Sequence, residues 1–435
     1  MGEMSVSGTN PSALALQQFL ESNESIRFFR LQWVTYLGVV MMRVITKQYA
    51  LSLARNENTL SLSSPILTVL LLAGGIMFDD TKCGSELLWP DWLTLKVCHY
   101  QTGNSSFMCC VEEAGTEEDK SFRRCPRSRL QELEMMAKSK HDLEFLMGFE
   151  VEFQLTKPAT VSTPAQQART SMHVYAAAAL RSSCLPVLEE IVDALVNSGI
   201  QIRQFHAEGD HGLFESTALH CRRRSAVDTL VYTHETIKTI MLSSTDCRSE
   251  KTRFSQTTGA HIHLSMSRTE REDAFFACIL KEYAALAGFY LPNYDSYPRV
   301  KENQWIAWGT RNKTCPIKKL SPGYWEFRHP DATMNPYLAT LAIITAGLVD
   351  IETNTPLTLR IHEGLDDQQV ADHGITDKIP RSLKESLALF KKSTSLNEAL
   401  GPEIVEKYLM HKSREEESFK QMTANERKVI SMGLF

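Results

Sequence analysis

Apolar and ionisable residues alternate one for one in three short stretches of this chain. In Gly148–Leu155, Glu150, Glu152 and Gln154 alternate with Phe149, Val151, Phe153 and Leu155. In Gly259–Met266, His261, His263 and Ser265 alternate with Ala260, Ile262, Leu264 and Met266. In Tyr324–Arg328, Trp325 and Phe327 separate Tyr324, Glu326 and Arg328. Side chains on a strand point to opposite faces with period two, so each stretch predicts a strand with one buried face and one ionisable face. A face carrying Glu, Glu, His, His, Glu and Arg is a poor solvent face and a good lining for a metal–phosphate site.

The remaining pattern predicts a hairpin over residues 25–46, turning at Tyr36-Leu37-Gly38, and a strand-rich patch over 86–112. The acidic run Glu112–Lys120 reads as a linker. Beyond it, helical spacing predicts helices over 126–140, 186–198 (ended by Gly199), 225–244 and 270–288. Asn335-Pro336-Tyr337 opens a long apolar helix through Leu348, and two or three charged helices follow Pro380. The order predicts a flexible N-terminus (1–24), a small N-terminal sheet domain (25–115) and a larger α+β domain (121–435).

A length of 435 residues suits two or three domains. The net charge of −5 gives no footprint for nucleic acid, so any anion must be held locally. The ten cysteines show no CxxC pairing, which points to reduced thiols in a cytosolic enzyme. Residues 66–78 are almost wholly apolar but too few to span a bilayer, and read as a core element. No basic region precedes an apolar run near Met1, so the expected location is the cytoplasm, with no membrane partner.

Each candidate group has a bland reading beside the chemical one. Glu150 and Glu152, about 7 Å apart on one strand face, are either a solvent-facing edge or a pair that needs a cation or protons between them. Glu208 and Glu215 sit around Gly209 and Gly212, which permit a tight return; alone this is a surface loop more often than a site. A single histidine is more often a satisfied core residue than a ligand, but His261 and His263 continue to Ser265, which favours a lined cavity. Glu326 and Arg328 also read as a structural ion pair. Five carboxylates and one histidine, with no thiol, are donors for Mg²⁺ or Mn²⁺ rather than structural zinc.

From about residue 26 to the C-terminus, the order and spacing of these segments resemble the glutamine synthetase family, type I-like. GFEVEFQL resembles its paired-glutamate strand and FHAEGDHGLFE its second glutamate loop. GAHIHLSM resembles its HxHxS strand and WGTRNKTCPIK its phosphate-binding segment. YWEFRHPDATMNPYLATLAIITAGL resembles its ExR strand and the following helix, and AWGTRN with SPGYWEFR has the flavour of fungal glutamine-synthetase-like domains. The resemblance implies a β-grasp-like N-terminal domain and a catalytic domain with a curved antiparallel sheet flanked by helices. It implies one metal on Glu152, Glu208 and Glu215, and another on Glu150, His261 and Glu326. His263 and Ser265 would lie along ATP, Lys313 and Lys318 against its phosphates, and Arg299 and Arg328 would clamp the substrate carboxylate and the transferring phosphoryl group. The implied reaction joins a small-molecule carboxylate to an amine or ammonia through an acyl phosphate, in a homo-oligomer with shared sites.

The departures bear on the substrates. Gln256-Thr257-Thr258 replaces the family's Asn-Gly, and Gly212-Leu213 its Gly-Gln. Lys313 and Lys318 replace arginines and lose the bidentate fork, while Tyr324 replaces a third. Between Arg299 and Trp305 the flap is short, with Glu302 the candidate for its missing glutamate and Asp79 for the ammonium-binding aspartate. The metal set is intact and the substrate parts are altered, so the expectation is a ligase for a carboxylate and an amine other than ammonia. True glutamine synthesis and a catalytically reduced regulatory protein remain the alternatives.

Overall fold

The computed structural model describes residues 11–62, 66–72, 75–78, 85–113, 122–156, 175, 177, 180, 185–208, 213–218, 221–243, 251–253, 258–361, 365 and 367–434. The hairpin expected over 25–46 forms from β1 (Phe28–Val34) and β2 (Val40–Thr46), in unbroken antiparallel register. Gly38 closes it at φ 86°, and a Cβ there would lie 2.8 Å from the Thr333 carbonyl oxygen, so a side chain has neither the backbone freedom nor the room. The Thr46 side chain caps helix α2 (Lys47–Ala54). β3 (Leu60–Leu62) follows, then a separate hairpin of β4 (Val69–Leu72) and β5 (Gly75–Phe78) within the apolar run. β6 (Glu86–Pro90), β7 (Lys96–Val97) and β8 (Asn104–Glu113) complete a sheet of order β2-β1-β8-β6-β3, with β7 also on β8. Its β1–β8 pair is parallel and the rest antiparallel, the expected β-grasp-like pattern.

Two boundaries differ from the sequence reading. The segment expected to be a flexible N-terminus carries α1 (Pro11–Ser22), because Leu16 and Leu20, one helical turn apart, are buried against the first sheet's core. The expected linker begins later: β8 runs through Glu112 and Glu113, and Glu112 is buried as acceptor of the Trp89 indole N–H. Residues 114–121 lie outside the described residues.

Helix α3 (Pro126–His141) leads into a nine-stranded sheet. Its strands are β9 (Phe145–Thr156), β10 (Ile202–Ala207), β11 (Leu213–Ala218), β12 (Cys221–Arg222), β13 (Lys251–Arg253), β14 (Ile262–Met266), β15 (Trp308–Thr310), β16 (Ile317–Ser321) and β17 (Tyr324–Phe327). The main path is β10-β11-β9-β14-β17-β16-β15, with β12 and β13 also on β9. Pairing is antiparallel except between β15 and β16, which are parallel. Helices α4 (Leu185–Asn197), α5 (Arg223–Ser243), α6 (Glu272–Tyr290) and α7 (Pro336–Leu348) accompany it. Then come α8 (Asp367–Asp372), α9 (Leu383–Lys392), α10 (Thr394–Leu400), α11 (Pro402–Lys420) and α12 (Ala424–Leu434). Four helices therefore follow Pro380, where two or three are expected, because Ser393 and Gly401 each start a new helix.

The alternation fixes which face of this sheet is buried. Phe145, Met147, Phe149, Val151 and Phe153 of β9 all point into the core, as do Ile262, Leu264, Trp325 and Phe327. Phe276 of α6 stacks on Trp325 with ring centroids 3.9 Å apart, and Phe275 meets Phe145 at 5.2 Å. Burying each such ring is worth about 1.5–3 kcal/mol. Every residue of α7 is buried, as expected for a helix apolar on all sides. Its extension, Pro336–Thr353, is the one stretch among the described residues long and apolar enough to cross a membrane, and 78% of it is buried inside the protein. With its apolar side committed, the sheet's polar side is left to form a site.

The two sheets are joined by Arg127 of α3, whose guanidinium bonds Asp91 at 2.7 Å and Asp228 of α5 at 2.8 and 3.0 Å. Asn335, which caps α7, also donates to the Thr35 carbonyl at 2.7 Å. The Asn335 bond holds the first sheet's β1–β2 turn against the start of α7.

Candidate active site

Cross-strand register assembles the ionisable face into two rows. His206 of β10, Glu215 of β11 and Glu152 of β9 stand opposite one another in turn. His263 of β14, Glu326 of β17 and Lys318 of β16 form the second row. Directly opposite residues have Cβ atoms about 4.5–5.5 Å apart, so each row is a contact set before any side chain is placed.

In the second row the charges are matched within the protein. Both oxygens of Glu150 face imidazoles, His261 Nδ1 at 2.7 Å and His263 Nε2 at 2.9 Å. Burial pushes the Glu150 carboxyl up, but the two histidine bonds outweigh it and hold it below the ordinary carboxylate range. Glu326 is 1% exposed, pairs with Lys318 and Arg328, and lies 3.6 Å from His261 Nδ1. The Tyr324 hydroxyl meets His263 Nδ1 at 2.7 Å. With Nε2 donating to Glu150, Nδ1 accepts the phenol proton, so Tyr324, His263 and Glu150 form one oriented chain. Glu150, His261 and Glu326 bring donor atoms within 4.8 Å of one another.

The first row lacks such matching. His206 Nδ1 lies 3.4 Å from Glu208 and its Nε2 3.5 Å from Glu215, and the donor atoms of these three residues also lie within 4.8 Å of one another. Burial, then the charges of Glu150, Glu152, Glu208 and Glu326, push the Glu215 carboxyl up to about 8. Burial also raises Glu208, against the charges of His206 and the exposed Lys313. Glu152 accepts the Gly259 backbone N–H at 2.5 Å and lies 3.9 Å from His261 Nε2. A Cβ on Gly259 would sit 2.6 Å from Glu152 Oε1 and 2.9 Å from the Arg299 guanidinium, so this glycine makes room for both.

Arg299 enters from a 3-10 turn, Tyr297–Asn303. It donates to the carbonyls of His329 at 2.7 Å and Arg328 at 3.1 Å, with His261 Nε2 at 3.4 Å. Burial lowers its pKa, opposed by the charge of Glu152. The structure thus brings together Glu150, Glu152, Glu208, Glu215, His261, His263, Glu326, Lys318, Arg299 and Arg328. Ser265 is half-buried opposite Tyr324, two residues along from His263. Glu302 lies on the same turn as Arg299, but its side chain, like Asp79 and Gln256-Thr257, lies outside the described residues.

His206 is absent from the donor set implied by resemblance, where Glu152 takes its place beside Glu208 and Glu215. The signal for it is period two: His206 precedes Glu208 by two residues on the strand entering the loop. The donors fit hard divalent cations, since both groups offer only carboxylate oxygens and imidazole nitrogens. The negative field that raises Glu215 is the field such a cation would relieve.

Comparisons with known proteins agree with this geometry. The chain is 29% identical to protein fluG of Emericella nidulans over 98% of its own length, and spans 51% of that protein. It is 25% identical to the gamma-glutamylpolyamine synthetase GlnA3 of Streptomyces coelicolor, covering 78% of this chain and 79% of that one. The fold matches the solved structure of GmaS without ligand at a TM-score of 0.79 and 22% identity, covering 94% of this chain and 97% of that one. Residues 123–429 match the family model for the catalytic domain of glutamine synthetase, and the chain belongs to the glutamine synthetase family.

Proposed function

We propose that this chain is an ATP-dependent carboxylate–amine ligase that forms an amide bond, γ-glutamyl in kind, through an acyl phosphate. The observation that carries the reading is the pair of oxygen-and-nitrogen donor clusters on one sheet face, with Arg299 between them. Family membership and the gamma-glutamylpolyamine synthetase among its relatives support the same chemistry and an acceptor amine larger than ammonia. The chain divides into the β-grasp-like domain over 25–115, with α1 packed on it, and the catalytic domain over 121–435, and works as a cytoplasmic homo-oligomer.

Glu150, His261 and Glu326 would hold one Mg²⁺ or Mn²⁺; Glu208 and Glu215, with Glu152 and His206, would hold the other. Such ions neutralise phosphate charge and orient the reacting oxygens. The substrate carboxylate attacks the γ-phosphorus of ATP and ADP leaves; the amine nitrogen then attacks the acyl carbon and phosphate leaves. Arg299 offers a preorganised guanidinium for a carboxylate, fixed by two backbone carbonyls before any substrate arrives. Lys318 and Arg328 share Glu326 and bring two positive charges to the phosphoryl-transfer side. His263 and Ser265 line the nucleotide, and Glu302 on the short turn takes the proton the amine must lose.

Incubation with ATP, Mg²⁺, glutamate and hydroxylamine should yield a hydroxamate and ADP. A panel of acids and amines, read by ADP release and by product mass, then identifies the pair. Ammonia as the best acceptor would make the activity glutamine synthesis. Nucleotide bound but never turned over with any pair would sink the ligase reading in favour of a regulatory role.

A further inference from the structure

The face has few cations left for a triphosphate. Tyr324 stands two residues before Glu326, where the family resemblance implies an arginine, and its hydroxyl bonds His263. Lys318 and Arg328 are committed to Glu326, and Arg299 to two carbonyls. Lys313 sits with Glu208 on the other cluster. Among the described residues, the side of the site nearest Tyr324 therefore has no uncommitted guanidinium from β14, β16 or β17.

Strand β10 supplies it through an irregularity. It pairs with β11 one for one from Ala207 opposite Phe214 to Gln204 opposite Thr217. The next pair is Ile202 opposite Ala218, so Arg203 is an extra residue on β10. In unbroken alternation Arg203 would face away from Gln204 and His206. A bulge sets two successive residues over one partner and re-aims a side chain, here turning Arg203 toward the face that carries His206. Its surroundings agree: Arg203 is near enough for its charge to act on the Tyr324 hydroxyl. Arg203 is exposed and, among the described residues, has no hydrogen bond or ion pair. Among the described residues nothing gives this arginine a structural task.

We propose that Arg203 is a phosphate-binding residue of this site, a guanidinium brought in by the β10 bulge to meet the nucleotide's phosphates where Tyr324 carries no charge. The inference rests on the ATP-dependent reading above. A planar fork meets two phosphate oxygens at once, and a cation on an edge strand reaches a ligand without being buried beforehand.

The test measures adenosine, ADP and ATP binding, with Mg²⁺, to the full chain and to Arg203→Ala and Arg203→Lys by titration calorimetry. In Arg203→Ala, ATP affinity should fall about tenfold or more, as for loss of a charged hydrogen bond, while adenosine affinity stays unchanged. Arg203→Lys should recover part of the loss, because charge returns without the fork. The salt dependence of ATP binding should flatten in the alanine variant. Equal losses for adenosine and ATP, or no loss for either, would overturn the proposal, as would a raised KM for the carboxylate with ATP affinity intact. A wild-type chain with no affinity for ATP would overturn the ligase reading and this inference with it. Melting curves check folding, and the exposed position makes loss of fold an implausible confounder.

Discussion

The two donor clusters on this sheet face are built from the same residue types and solve their electrostatics in opposite ways. Around Glu326 the protein brings its own counter-charges, Lys318 and Arg328, and orients Glu150 with two imidazoles. Around Glu215 it leaves buried carboxylates facing one another, so that a proton is retained to about pH 8. The first cluster is organised as the chain folds; the second awaits a charge from outside. A carboxylate cluster is thus not one kind of object, and the sign of a substitution's effect on stability tells the two kinds apart.

The largest effect expected is on turnover, and it falls on both clusters. Glu152→Ala and Glu326→Ala should each lower the rate by at least about a thousandfold, since each removes a charge that positions a cation or phosphate. Steady-state ADP release measures it. Wild-type rates in either variant would remove the metal assignment.

Stability then separates the clusters. Glu326→Gln leaves Lys318 and Arg328 side by side without their shared counter-charge, a change of the kind that costs about 3–5 kcal/mol when fully buried; the partial exposure of both cations puts this case near the lower end. Glu215→Gln should act the other way. Its carboxyl keeps a proton to about pH 8 in the folded chain but only to about 4.3 when unfolded, so folding takes up a proton between these values. The contribution is fully present below the unfolded pKa and lost as pH rises through the folded one. Metal-free wild type should therefore lose a few kcal/mol from this group between about pH 4 and pH 8, and Mn²⁺ should restore most of it. Glu215→Gln should flatten that dependence and stabilise the metal-free protein at pH 8. Denaturant unfolding at pH 5 and pH 8, with and without Mn²⁺, reads both signs; the same sign for Glu326→Gln and Glu215→Gln would erase the distinction.

Gly259→Ala probes the join between the clusters. The new methyl would meet the ends of Glu152 and Arg299, which are side-chain atoms and can move. Turnover should fall about tenfold to a hundredfold as both groups leave their places, while the melting temperature changes by only a few degrees. A large stability loss with normal turnover would show that Gly259 serves the fold instead.

Much of this was readable from period two. The three alternating stretches name the strands, their buried faces and six of the ionisable groups that meet, because one face of each strand is too apolar to be elsewhere than the core. Register was not readable, and register decides that Lys318 faces Glu326 and that Glu215 faces Glu152. His206 lies in FHAEGDHGLFE, where the two glycines mark a loop and mask that His206 belongs to the strand before it. The Arg203 bulge leaves no mark in hydrophobic pattern, because it depends on pairing with β11. The Ser-, Gly- and Asn-rich stretch before Pro11 masks helix α1, although Leu16, Phe19 and Leu20 recur at helical spacing.

The finest test of the matched cluster is Tyr324→Phe. The phenol donates to His263 Nδ1 at 2.7 Å, which leaves Nε2 to donate to Glu150. Removing one hydroxyl keeps the ring and its contact with His263 at 5.5 Å, so packing is preserved and only the proton donor is lost. Without it, His263 can adopt either tautomer, and the bond to Glu150 is no longer fixed by the other ring nitrogen. A neutral hydrogen bond is worth about 1 kcal/mol, so kcat/KM should fall about fivefold, with little change in melting temperature. The imidazole ¹⁵N shifts of His263 should move from a single Nε2–H form in the wild type to a mixture in the variant. An unchanged tautomer would mean that Glu150 alone orients the ring, and that the matched cluster is held by its carboxylates rather than by the chain running back to Tyr324.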